Sequence, residues 1–330
     1  TVNLPNELLK RSGKTVTMPI GRPFPASEIQ RYDDARELGR VLRNRVYAME
    51  ANIHRQSETV TAGTHNEPLI QSVDSRELAK EMDALTPLFE VHRYRCYLAD
   101  TEQIPAMMTE IGLRREESFR QVGEGTGSSI DTDKYDRYYK HLILWDKESR
   151  KLAGAYRLGI GREIYEKYGT DGFYTHTLFS YSKEFTEKLP ECIELGRSFL
   201  SVEYKKEALP LMLLIKGLLF TVIRYSNCKY LFGPASITSW LPPFYRSLII
   251  YGLSLCTHDC PKGLVTPRTP FRYDFLRVDP ALLLKGKTGN VDILDKYIQR
   301  LSDGRYRIPT LLKKYVKLNA AILAYNVDRE

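Results

Sequence analysis

A strand candidate that runs straight into a long apolar helix constrains this chain most. Residues Glu194-Leu195-Gly196-Arg197-Ser198-Phe199-Leu200-Ser201-Val202-Glu203-Tyr204 mix polar and apolar side chains at strand spacing. Ala208 to Arg224 follows as an apolar helix with Pro210 in its first turn. A second short strand, Tyr230-Leu231-Phe232-Gly233-Pro234, and a helix from Pro243 to Tyr251 come next, an order that predicts an α/β sheet. Side chains alternate along a regular strand, so Glu194 and Arg197 would point to opposite faces. A bulge at Gly196 brings both to one face, splays the strand and frees backbone N–H groups. Such a place suits acyl transfer: a carboxylate to take a proton, a cation to fix a substrate, N–H groups for an oxyanion. A structural strand carrying a surface ion pair is the competing reading.

At 330 residues the chain holds one large or two ordinary domains. Its net charge of +8 favours an acidic partner, but the basic residues are scattered rather than gathered in a tail, which argues against nucleic acid. Five Cys at irregular spacing point to a reducing compartment rather than a disulfide framework. Cys256-Thr257-His258-Asp259-Cys260 has metal-ligand residue types without a second pair at zinc-finger spacing, and reads as a loop, so no metal is expected. The most apolar run, Ala208 to Ile223, contains Lys216 and falls short of the roughly 20 residues of a spanning helix.

Residues 1–55 read as a small α/β appendage. Leu4 to Lys10 is a helix candidate, Lys14 to Ile20 a short strand, and Asp34 to Met49 a helix. Residues 56–85 read as a linker, with a helix from Ser75 to Met82, and 86–330 as the main domain. Phe89 to Ala99 alternates as one strand, and Ile104 to Gln121 is a helix carrying Arg115 and Phe119. The glycine-rich Gly123 to Ser129 follows a helix rather than a strand, so it reads as a flap over a pocket or a linker, not a phosphate loop. Tyr138 to Trp145 and Lys151 to Ile160 form a hairpin in which Ala153, Ala155 and Arg157 share a face. Arg157 is then either a pocket arginine or one reaching the rim. The aromatic run Phe173 to Phe179, with His176 inside it, suits either core or the wall of an apolar channel.

Two resemblances follow from these residues. Leu4-Pro5, Gly13-Lys14 and Ile20-Gly21-Arg22-Pro23, then a helix ending Arg45-Val46-Tyr47, resemble the end of a lysophospholipid O-acyltransferase domain. The His-x4-Asp motif of that family lies upstream of such a tail. The literal match here, His141 to Asp146, sits in an alternating strand and is rejected. From about residue 90 onward the chain resembles the GNAT superfamily, specifically the bacterial ornithine-lipid and glycine-lipid N-acyltransferases, and more distantly the acyl-homoserine-lactone synthases. The matching residues are Gly154-x-Tyr156-Arg157-Leu158, Gly172-Phe173-Tyr174-Thr175, Leu189-Pro190, Glu194-Leu195-Gly196-Arg197-Ser198-Phe199, Tyr230-Leu231-Phe232-Gly233-Pro234-Ala235-Ser236-Ile237 and Ile308-Pro309-Thr310.

The resemblance implies a GNAT-like mixed central sheet with a splayed central strand, flanked by helices. It also implies transfer of a fatty or 3-hydroxyfatty acyl group from acyl carrier protein to the α-amino group of ornithine or glycine. The donor is then acyl-phosphopantetheine, with no permanently bound cofactor. Most GNAT enzymes cradle the coenzyme A pyrophosphate in a glycine turn; Lys205-Lys206-Glu207-Ala208-Leu209-Pro210 stands there instead. The candidate site comprises Glu194, Arg197 and Ser198 as catalytic residues. Arg115, Phe119, Asp133, Asp136, Arg157, Phe173, His176 and Ser236 are the substrate-binding candidates, and Lys205 and Lys206 the donor-binding ones. An amphiphilic product fits a cytoplasmic protein lying on the inner face of the cytoplasmic membrane. An acetyl-CoA-dependent acetyltransferase and a non-catalytic membrane-associated module are the alternatives.

Overall fold

The computed structural model describes residue 13 and residues 19–53, 66–257 and 263–328. The helix expected over Leu4 to Lys10, nearly all of the strand over Lys14 to Ile20, and His258 to Cys260 lie outside the described residues. The chain divides into two units, one formed by residues 1–62, 241–257 and 273–319, the other by 63–240, 258–272 and 320–330.

In the first unit, the helices Ala35–Ala48, Pro243–Cys256, Val291–Leu301 and Thr310–Lys317 supply the described framework. The described amino-terminal residues contribute helices only, and they group with these later helices rather than standing as a separate tail. Buried Leu248, Ile249 and Leu253 and buried Leu294 and Ile298 recur at helical spacing, so each helix turns one apolar stripe inward. Asp295 is buried there without being orphaned, because Ile308 N and Lys313 Nζ both donate to it.

In the second unit, β1 (Phe89–Val91), β2 (Tyr94–Ala99), β3 (Lys140–Asp146), β4 (Lys151–Ile160), β5 (Phe179–Tyr181), β6 (Cys192–Leu200), β7 (Tyr230–Phe232) and β8 (Val265–Pro267) form two sheets. The larger has the order β1-β2-β3-β4-β6-β7, and β5 pairs with β8. Neighbours in the large sheet are antiparallel except β6 and β7, which the helix Ala208–Arg224 joins as a parallel crossover. Phe89 to Ala99 is a hairpin rather than one strand. Val91 pairs with Tyr94, and His92 takes a φ of +53° in the turn. The His-Arg pair there lacks the Asn-Gly or Asp-Gly signature of such turns, so alternation alone hid it.

Helices cover both faces. Ala208–Arg224 lies against Cys96 and Leu142, close enough that a Cβ on Gly217 would stand 2.7 Å from the Cys96 sulfur. On the opposite face, Leu78, Met82, Met107 and Ile111 from the helices Ser75–Asp83 and Pro105–Arg120 pack on Tyr97, Ile143, Trp145 and Ala155. The period of two in the strands and of three to four in the helices is what lets these layers interlock.

Two features of β6 shape the centre of the sheet. Along β4 it pairs Gly159 with Glu194 and Arg157 with Gly196, then Ala155 with Phe199, so Arg197 and Ser198 together stand opposite Tyr156. The bulge therefore falls one residue later than expected, with Gly196 in register and Arg197 taking the left-handed φ of +47°. Along β7, β6 pairs only over Cys192 to Glu194. From Leu195 onward its β7-side edge has no strand partner among the described residues, which is the expected splay. Gly233 makes the last contact before the strands part: a Cβ there would lie 2.1 Å from the Leu195 carbonyl oxygen. Gly233→Ala is expected to lower unfolding stability by about 2 kcal/mol or more, read from the urea midpoint at unchanged slope.

Candidate active site

On one face of the β4–β6 pair, glycine alternates with charge. Gly159 faces Glu194 and Gly196 faces Arg157. A side chain at Gly159 would meet the Tyr139 ring at 2.6 Å; its absence lets that ring cross the sheet and bring its hydroxyl to Glu194. At Gly196 the position is open, and only Arg157 Nε approaches an added Cβ, at 4.0 Å.

Glu194 is fully buried yet saturated with donors. Tyr174 N (3.1 Å), Thr175 N (2.7 Å) and the hydroxyls of Tyr139 and Thr175 all donate to its carboxylate. Burial pushes its pKa up, and the bonds from Thr175, Tyr139 and Tyr174 pull it back only in part. The same bonds fix the backbone at Tyr174, whose ring centroid lies 5.6 Å from Arg157 Cζ and 5.4 Å from Arg197 Cζ.

Beside it runs a charged ring of three arginines and three aspartates. Arg115 holds Asp136 at 3.1 Å, Arg157 holds Asp133 at 2.5 Å and Asp136 at 3.2 Å, and Arg197 reaches Asp133 at 3.5 Å and Asp131 at 3.6 Å. Burial opposes the charge on Asp136, but Arg115 and Arg157 hold its pKa well below the usual carboxylate range. Burial also opposes the charge of Arg157, and Asp136 and Asp133 more than offset it. For Asp131 burial wins, and its pKa rises despite Arg115 and Arg197. Arg157 is completely buried, but its Nε and Nη2 make no hydrogen bond with the described residues. These two nitrogens form one edge of the guanidinium, the edge that takes a carboxylate in a two-point fork.

The bulge thus places Arg197 beside Arg157 and on the Glu194 face, and it gathers Arg115, Asp133, Asp136, Arg157 and Arg197 into one network. Ser198 sits half-buried in the bulge itself. The remaining candidates have partners elsewhere. Phe119 packs on the apolar core beneath the sheet, and Phe173 is core. His176 pairs with Asp171 at 3.0 Å, and the Ser236 hydroxyl donates to Glu124. Lys205 spends its ammonium on Ser118 O and Gln121 Oε1 at the end of the helix Pro105–Arg120, while Lys206 is exposed. The glycine-rich segment is tied down: Glu116 accepts from Thr126 N, the Thr126 hydroxyl and Gly127 N. Asp131, Tyr139, Tyr174 and Thr175 join this cluster without having been site candidates, although Tyr174 and Thr175 lie in one of the motifs that carry the resemblance.

The pattern of the "Acetyltransferase (GNAT) domain" family matches residues 114–215, the span that holds the charged ring, Glu194 and the bulge. A "Glycine N(alpha)-acyltransferase" of Bacteroides thetaiotaomicron is 32% identical over 268 residues, covering 77% of this chain and 78% of that protein. Another of the same name from Phocaeicola vulgatus is 31% identical, covering 68% of this chain and 71% of its own length. This chain belongs to the GNAT-type N-acyltransferases. No solved structure matches it.

Within this N-acyltransferase, His141 is a support rather than a reactant. It pairs across the strands with Arg157, and its Nε2 lies 3.1 Å from both the Thr101 hydroxyl and Asp136 O. Burial pushes its pKa down to about 4. Because that lies below the unfolded value of about 6.5, the unfolded chain binds the extra proton. The contribution of neutral His141 is whole above pH 6.5 and drains away as pH falls towards 4, by up to about 3 kcal/mol. Denaturant unfolding across that window should show a steeper loss on acidification for the native chain than for His141→Gln. Parallel curves would remove His141 as the cause.

Proposed function

We propose that this chain moves a fatty acyl group from the thioester of an acyl carrier protein to the α-amino group of glycine. The observation that carries the acceptor side is the unpartnered edge of buried Arg157, facing the open position at Gly196. An amino acid carboxylate matches that edge in charge and geometry, and a buried guanidinium without such a partner is costly. The names of the two relatives favour glycine over ornithine.

For the donor, the β7-side edge of β6 beyond Leu195 offers backbone groups to an amide-bearing pantetheine arm, as an added strand would use them. A coenzyme A pyrophosphate is disfavoured where the next helix begins. Glu207 holds the position just before that helix without capping it, and its carboxylate pairs with Arg93 at 3.1 Å, so an anion would meet an acid. Exposed Lys206 beside it suits the acidic face of a carrier.

In this reading the amine attacks the thioester carbon, the carbonyl oxygen takes up the negative charge, and as the amide forms the C–S bond breaks and the thiolate leaves, recovering the proton that the amine gives up. The amine proton passes to Glu194, whose raised pKa makes it a better base than an exposed carboxylate. The hydroxyls of Tyr139 and Thr175, both donating to Glu194, can hand a proton inward as they receive one. Backbone N–H groups at the bulge, near Ser198, meet the oxyanion. Arg197, held by Asp131 and Asp133, keeps the bulge in place.

Purified protein with acyl carrier thioester and labelled glycine should give N-acylglycine, detected by mass spectrometry, with much less from the matching coenzyme A thioester. Product from neither donor would refute the reading. Arg157→Lys should raise KM for glycine at least about 100-fold, since an ammonium cannot form the fork. An unchanged KM in a folded variant would take the carboxylate away from Arg157. Glu194→Gln should lower kcat about 100- to 10,000-fold per folded molecule. A lower melting temperature with unchanged kcat would leave Glu194 a holding role only.

A further inference from the structure

The helix Ala208–Arg224 is apolar on both sides, although only one side is covered. Leu213, Leu214, Gly217, Leu218 and Thr221 face the sheet and are buried. On the other side Met212 is 57% exposed, Leu219 58% and Ile223 73%, with Lys216 exposed between them. At 100° per residue these four fall within an arc of about 60°, and Met212 to Ile223 spans about 16 Å. Leu209, 37% exposed, extends the stripe towards the start of the helix. Large apolar side chains gathered on one face at the surface, with a single lysine among them, mark an interaction site, not scattered exposure.

The charges beside the row identify its occupant. The helix contains no acidic residue, and its cations are Lys216 within the row and Arg224 at its end. Just outside it Lys206 stands next to Glu207, which pairs with Arg93, and Lys229 pairs with Glu191 at 2.8 Å, so the cations of the face itself are Lys216 and Arg224; the chain as a whole carries a net charge of +8. The Lys216 ammonium rests 4.5 Å from the Phe89 ring centroid, its stem lying along apolar surface in the way amphipathic side chains do at an interface. No helix among the described residues is long and apolar enough to cross a membrane.

We propose that this outer face of Ala208–Arg224 docks on an anionic lipid bilayer, lying in its surface without spanning it. The apolar row enters the boundary between headgroups and acyl chains while Lys216 and Arg224 meet the lipid phosphates. The proposal stands independently of which amino acid is acylated and which carrier delivers the acyl group.

The test is co-sedimentation of the full chain with phosphatidylcholine vesicles, with and without phosphatidylglycerol. The native protein should pellet with the phosphatidylglycerol vesicles, and added salt should weaken that binding. Leu219→Glu combined with Ile223→Glu should lower the binding at least about tenfold. Both side chains point to solvent, so the melting temperature and the turnover of soluble substrates should stay as in the native chain. Lys216→Gln should give a smaller loss that shrinks at high salt. The proposal is overturned if the native chain stays in the supernatant with both vesicles, or if the double variant pellets like the native chain. Loss of acyl carrier protein binding in the double variant, with vesicle binding intact, would also overturn it.

Discussion

Arg157 carries a full charge in the interior of the sheet, and much of the surrounding chain makes that tolerable. Moving such a cation out of water without partners costs several kcal/mol even after relaxation. Asp133 and Asp136 face it from the segment before β3, and the rings of Tyr139, Tyr135 and Tyr174 stand 5.3, 5.5 and 5.6 Å from its Cζ. Each ring face adds a modest attraction that grows when water is excluded. Asp136 in turn needs Arg115, so the helix Pro105–Arg120, the loop after it, β4 and β6 are bound into one electrostatic unit. The unit is left incomplete on one edge of Arg157. Arg115 Nε, Arg197 Nε and Asp131 Oδ2 of the same network also make no hydrogen bond with the described residues, but at Arg157 both nitrogens of one edge are left together, next to the open position at Gly196.

The second dependency is backbone strain. Arg197 is not glycine, yet it takes a left-handed φ of +47°, a conformation costing of order 1 kcal/mol or more. Asp131 and Asp133 hold the guanidinium that results. Glu194 fixes the neighbouring loop through the N–H groups of Tyr174 and Thr175, so Tyr174 is placed between the two arginines by a carboxylate that touches neither. Strain, cage and charge ring are therefore coupled, and a change in one moves the geometry of the others.

What could be read from the sequence divides along the range of the interactions. The helices over 35–48, 105–120 and 208–224 and the hairpin of β3 and β4 follow from local periodicity, and the structure places them within a residue or two of the expected limits. The bulge was legible as what a shared face for Glu194 and Arg197 would require. Its position was not, because register depends on the partner strand, and the glycine that drew attention stays paired with Arg157. Lys205 shows the same limit: adjacent lysines read as a patch, while the fold turns one of them onto the end of a distant helix. Tyr139 and Gly159 could not be linked by spacing at all. Only pairing β4 with β6 reveals that the missing side chain of one makes room for the ring of the other.

The parting of β6 and β7 also bears on what the fold can admit. A parallel pair joined by one helix ordinarily stays zipped along its length, since each lost ladder bond leaves a backbone group to be satisfied. Here pairing stops after Glu194, and the close approach of Gly233 to the Leu195 carbonyl forms the vertex from which the strands diverge. The vertex lies beside the buried carboxylate, so anything laid along the open edge of β6 ends near Glu194 and the bulge. An extended chain with amide groups can satisfy that edge as an added strand would.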